Sequence, residues 1–126
     1  MTPRLGLAAS LALLALAGSA ADAAAKPQRS CFYARNVDSF RAPDDKTVYL
    51  KVGVRDVYQL DLMGPCPDVD WSERIGLVSR GGDWICTGLD AEIVAPSTIG
   101  PHRCPVQILR KLTREEAAAL PPKAKP

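Results

Sequence analysis

Apolar and polar positions alternate most strictly over residues 47–52, where Val48, Leu50 and Val52 interleave with Thr47, Tyr49 and Lys51. A period of two places the first set on one face of a strand and the second on the other, as in a strand half buried in a sheet. After Gly53 the alternation resumes over residues 57–63, with Tyr58, Leu60 and Leu62 inward and Gln59 and Asp61 outward. Two such runs around a glycine predict an antiparallel hairpin. The turn Ala42-Pro43-Asp44-Asp45-Lys46 launches it: proline presets one backbone angle and the aspartates accept local backbone bonds.

Elsewhere the pattern is broken. Residues 32–41 show no clear period, and Phe32, Val37 and Phe40 are their candidates for the core. Gly64-Pro65-Cys66-Pro67 ends the sheet, because proline cannot donate to a ladder. Residues 75–79 and 84–87 flank Arg80-Gly81-Gly82-Asp83, which predicts a second hairpin. Residues 91–95 and 104–112 are further strands, separated by a loop holding Pro96, Gly100, Pro101 and His102. Thr113-Arg114-Glu115-Glu116 is a capping box that opens a short helix, and Pro121-Pro122 stops it. The reading is mainly β: a small antiparallel sheet or partly closed barrel of about five or six strands, with a short C-terminal helix. Residues 121–126 are expected to be a flexible tail.

The N-terminus changes the picture, because residues 1–25 read as a secretory signal. Arg4 supplies the positive end, residues 5–17 an uncharged apolar run too short to span a bilayer, and residues 18–25 several small-x-small cleavage patterns. Cys31 follows a polar lead, Pro27-Gln28-Arg29-Ser30, so it lacks the setting of a lipid-anchored cysteine. No later stretch has the ~20 apolar residues of a membrane span. Residues 26–120 are then a single domain, expected to be soluble in the periplasm or outside the cell. Its formal charge stays at +2, since Arg4 and Asp22 cancel. Nucleic acid is not an expected partner: that near-balance lacks the clustered basic face of its binders, and Arg103, Arg110, Lys111 and Arg114 read as a solvated face.

An oxidising destination makes the four cysteines structural. Cys31, Cys66, Cys86 and Cys104 are separated by 35, 20 and 18 residues, without the close pairs of a zinc or C-x-x-C redox site, and the chain has one histidine. Two disulfides follow, with three pairings open. The expected second hairpin brings Cys86 back towards Cys66, and Cys31 and Cys104 open apolar runs at opposite ends of the domain. This favours the nested pairing Cys31–Cys104 and Cys66–Cys86, worth about 4 and 3 kcal/mol by loop entropy.

Candidate chemistry is sparse. Asp68, Asp70 and Glu73 are the densest acidic cluster. They offer a calcium site or a metal-assisted hydrolase, but Asp70 to Glu73 also has capping-box spacing, which predicts a helical turn ended by Gly76. The Gly81-Gly82 pair lacks the lysine and following helix of a phosphate loop. His102 is expected in an exposed loop, and Ser79, Thr87, Ser97 and Thr98 have no partner pattern for nucleophilic catalysis. No catalytic, cofactor-binding or metal-ligating residue is assigned. The outward face of the first hairpin, with Tyr49, Lys51, Val57 and Gln59, is the candidate interaction surface, because aromatic residues are enriched in interfaces. The competing expectation is that the C-terminal helix packs over it.

The run Cys31-Phe32-Tyr33-Ala34-Arg35, then Asp44-Asp45-Lys46-Thr47-Val48-Tyr49-Leu50, Gly64-Pro65-Cys66, Ile75-Gly76-Leu77, Ile85-Cys86-Thr87-Gly88-Leu89-Asp90 and Arg103-Cys104-Pro105-Val106 resembles a family of small exported bacterial proteins of unknown function. The resemblance covers nearly all the chain after residue 25 and implies an exported two-disulfide scaffold. It brings no activity or catalytic residues, and the lipid anchor of some relatives has no counterpart here. The function expected is non-enzymatic binding of an envelope protein or ligand; the alternatives are the metal-dependent reading above and a purely structural envelope protein.

Overall fold

The two strictly alternating runs form the centre of a six-stranded antiparallel sheet. The computed structural model describes residues 30–126, so the expected leader, residues 1–25, lies outside the described residues. The strands are β1 (Phe32–Tyr33), β2 (Val37–Arg41), β3 (Thr47–Val52), β4 (Asp56–Leu62), β5 (Gly76–Ser79), β6 (Trp84–Ile85), β7 (Ala91–Ala95) and β8 (His102–Lys111), followed by helix α1 (Arg114–Ala118). The order β2-β3-β4-β8-β7-β5 curls into a half-barrel, and β1 and β6 form a separate pair.

The hairpin forms in the expected register, with Leu50 opposite Tyr58 and Val48 opposite Leu60. Its inward face is buried: Val48 and Leu60 are 0% exposed. Gly53, at φ +60, supplies the left-handed residue of the turn. The core continues through Ile93 and Val106 to Phe32, whose ring centroid is 4.6 Å from that of Tyr58. Residues 32–41 show no period because they are two short strands split by a 3-10 turn at Ala34–Asn36, which resets the alternation.

The second hairpin does not form. Strand β5 pairs with β7, placing Leu77 opposite Ile93, while β6 pairs with β1, placing Ile85 opposite Phe32 and Trp84 opposite Tyr33. The glycine turn permits a hairpin, but β1 offers β6 a buried partner and an aromatic contact, with ring centroids 4.0 Å apart. Arg35 clips the other side of this junction through Asp83 at 3.1 Å.

The disulfides follow from that pairing. They join Cys31 to Cys86 and Cys66 to Cys104, an interleaved arrangement instead of the nested Cys31–Cys104 and Cys66–Cys86. Cys86 leaves the end of β6 beside β1, so Cys31 is its neighbour. Cys66 follows β4 into β8, where the Met63 amide donates to the Pro105 carbonyl at 2.9 Å. The bridges close sequence separations of 55 and 38 residues, each worth about 4 kcal/mol by loop entropy.

Two terminal features differ in outcome. The capping box at Thr113 forms, with the Glu116 amide donating to Thr113 Oγ1 at 3.1 Å and the Thr113 amide to Glu116 Oε1 at 3.4 Å. The segment expected to trail as a tail instead makes a 3-10 turn, Pro122–Ala124, with Ala124 2% exposed. Among the described residues no buried side-chain polar atom lacks a hydrogen-bond partner, and no helix is long and apolar enough to cross a membrane.

Candidate functional site

The longest strand is flanked by a short one, and a cleft lies along the stretch that the short strand leaves uncovered. Strand β8 has ten residues, but β7 pairs only with residues 102–105 of it. From Val106 onward β4 is the one strand among the described residues that pairs with β8, across a bulge at Gln107. The Leu112 amide donates to the Val57 carbonyl at 2.8 Å, which fixes the phase of the ladder. By antiparallel alternation Arg110 and Ile108 direct their backbone groups to β4, while Leu109 and Lys111 direct theirs to the other side. Among the described residues no strand pairs there.

The opposite wall is Ser30 with Cys86, Thr87 and Gly88, and the cleft between has a volume of about 760 Å³. That wall is held rigidly. The Cys31–Cys86 bridge fixes one end, and Asp90 accepts from the Cys86 amide at 3.1 Å and the Thr87 amide at 2.9 Å. Those bonds hold the Asp90 carboxyl below its ordinary range, so it is an anion that organises the turn. At the closed end Gly88 presses on β8: a Cβ there would lie 2.5 Å from the Gln107 carbonyl oxygen. The charged residues lining the cleft are Arg110 and Lys111, both cationic.

The expected interaction face is assembled on the outer side of the sheet. Tyr49 lies opposite Gln59 and Lys51 opposite Val57, and all four are half-buried. Register extends the Tyr49–Gln59 row to Arg41 on one side and Arg110 on the other. Gln59 is occupied: it donates to Asp61 at 3.0 Å and accepts from Arg110 Nη2 at 3.0 Å. Arg110 also pairs with Glu116, which ties α1 to this end of the row and holds the Glu116 carboxyl below its ordinary range. Burial, then the Asp61 carboxylate, push the Tyr49 hydroxyl up.

Asp68, Asp70 and Glu73 are not gathered. The expected helix cap at Asp70 is absent. Residues 67–71 form successive tight turns, with Asp68 at φ 65 and the Ser72 hydroxyl donating to the Asp68 carbonyl at 2.6 Å. Gly76, expected to end that turn, begins β5. Asp70 and Glu73 instead line a smaller cleft of about 370 Å³ with Phe40, Arg41, Trp71 and Lys123. Among the described residues no three His, Cys, Asp or Glu side chains converge to hold a metal ion. His102, expected in an exposed loop, is the half-buried first residue of β8 opposite Ala95.

Glu92, 7% exposed, is the one buried charged residue among those described. It accepts from Arg80 Nη2 and Arg103 Nη1, each at 2.7 Å, and the two guanidiniums hold its carboxyl below the usual range. The triad ties the residue after β5 to β7 and β8 and pairs the Glu92 charge on both oxygens. The open edge of β8 is the feature that sequence reasoning missed. Its signal was the unequal length of the two neighbouring strand runs, residues 91–95 and 104–112.

Over residues 1–125 the chain matches the family described as "Family of unknown function (DUF6491)". The chain belongs to this family. No curated protein and no solved structure matches it. Membership assigns no chemistry to the cleft, and the four cysteines of this chain all lie in the two bridges.

Proposed function

We propose that this protein is an exported, non-enzymatic binding module that works in the periplasm or outside the cell, and that the β8 cleft is where it binds. The observation behind this reading is the rigid-walled cleft itself, which presents strand backbone and two cations. The two disulfides support a destination where thiols are oxidised. The Cys31–Cys86 bridge anchors one end of that wall.

Site-specific photo-crosslinking tests the reading. A benzophenone amino acid replacing Ile108, which is 52% exposed beside the cleft, gives a discrete adduct in the producing cell. The same group at Ile99, 88% exposed in the β7–β8 loop, gives none. Equal labelling from both positions, or none from either, removes the cleft as a binding site. On this reading calcium leaves the melting temperature unchanged. A calcium-dependent rise that disappears in Asp70→Ala transfers the function to the acidic turn.

A further inference from the structure

We infer that the open edge of β8 takes up an extended acidic peptide segment of another protein, added to the sheet as a strand; this rests on the binding role proposed for the cleft. Leu109 and Lys111 each turn one donor and one acceptor into a cleft whose far wall is fixed, the arrangement required for adding a strand to a sheet edge. A strand seated there prolongs the line of β7, which stops at Ala91 where the chain turns away through Gly88–Asp90. The press of Gly88 on Gln107 closes that end and sets where the incoming strand must stop.

Charge selects the occupant. Arg110 and Lys111 are the charged residues of the cleft, with side chains 51% and 40% exposed. Their present partners, Glu116 and Gln59 for Arg110 and Asp56 for Lys111, hold them through surface contacts of the kind that contribute little and compete weakly. An antiparallel strand carrying two successive carboxylates meets them directly: one opposite Arg110 on the outer face, one opposite Lys111 on the inner face. The chain's own residues 26–29 are a poor fit, because Lys26 and Arg29 add like charge and Pro27 has no amide hydrogen. A second copy fits no better, since a two-fold β8 ladder gathers two Arg110 and two Lys111 within a few residues.

The probe is the acetylated, amidated peptide Thr-Val-Glu-Glu-Val-Ile-Thr, titrated into the oxidised protein and followed by amide chemical shifts. Shifts are expected at residues 107–113 and 86–88. Replacing both glutamates with lysine, or N-methylating the first glutamate and the second valine, weakens binding at least tenfold. In the free protein the Leu109 and Lys111 amides exchange quickly, and the peptide slows them. Slow exchange before peptide is added means that residues 26–29 or a second copy already cover the edge, and overturns the proposal. Equal binding of the glutamate and lysine peptides, shifts elsewhere, or none at millimolar peptide do the same. A discrete Ile108 crosslink in cells, together with failure of the acidic peptide, retires the partner class and leaves the binding role standing.

Discussion

The β3–β4 hairpin and the stretch from Cys66 to Asp90 lie in one small domain but are held by different means. In the hairpin, residues 47–52 pair with residues 56–61 without a break, and one face supplies Val48, Leu50 and Leu60 to the core. Local preference, register and burial agree there. The other stretch contains two short strands that pair with different partners, left-handed residues at Asp68 and Gly82, and a turn wound around the Asp90 carboxylate. It is fixed by cross-links from outside itself: two disulfides, the close seat of Gly88, and the Glu92 triad. A patterned segment carries its fold within itself, whereas an unpatterned one borrows it.

Removing a borrowed constraint tests this most strongly. Replacing Cys31 and Cys86 together by alanine is expected to lower stability by about 4 kcal/mol in urea unfolding. Hydrogen exchange in that variant rises first at residues 84–90, while residues 47–62 keep their protection. Uniform loss across both regions means they are one cooperative unit and breaks the comparison. Leu60→Ala acts on the self-sufficient region and is expected to cost about 3 kcal/mol as a cavity under the hairpin. Its loss of protection is global, because Leu60 sits where the whole sheet meets the core.

Gly88→Ala comes next, at about 2 kcal/mol, because the new methyl meets the Gln107 backbone and the turn must lift from β8. Gly64→Ala is its control, with nothing within 4 Å of the added Cβ. Equal melting temperatures for the two variants would show that the turn is not seated as described. The smallest effect is a pH slope. Glu92 has its folded-state pKa depressed below 4.5, so its contribution is complete above that value and is lost as pH falls towards the depressed one. Glu92→Gln is expected to flatten the acid limb of the stability curve. Asp90 and Glu116, also depressed, leave a residual slope.

What could be read from the sequence divides along the same line. The hairpin, the turn before it, the residues facing the core and the Thr113 cap are specified by neighbours in sequence, and the structure has them as expected. The partner of β6 was not legible: Gly81-Gly82 announces a turn, and nothing local says that Ile85 will choose Phe32 over the strand just left. The disulfide pairing depends on that choice and shared its fate. Asp70 and Glu73 carry the spacing of a helix cap, but Cys66, buried and bonded to Cys104, begins a chain of tight turns through Val69 that leaves no room for a helix. For the site, the outward hairpin face was readable from alternation. The open β8 edge left only an indirect trace, the unequal lengths of the consecutive runs 91–95 and 104–112, because which part of β8 the shorter β7 covers is set by their register.

The interleaved bridges have a consequence for the order of assembly. No cysteine is bonded to the one next to it in sequence: Cys31 must pass over Cys66, and Cys66 over Cys86. A chain oxidised in the order in which its thiols emerge joins Cys31 to Cys66 first, a bridge the fold does not contain. Escape from it requires thiolate exchange, which takes seconds to hours without help. If its thiols are oxidised in that order, the yield of correctly bridged protein is expected to depend on an isomerase as well as on an oxidant, and a host with oxidation alone to accumulate the Cys31–Cys66 species.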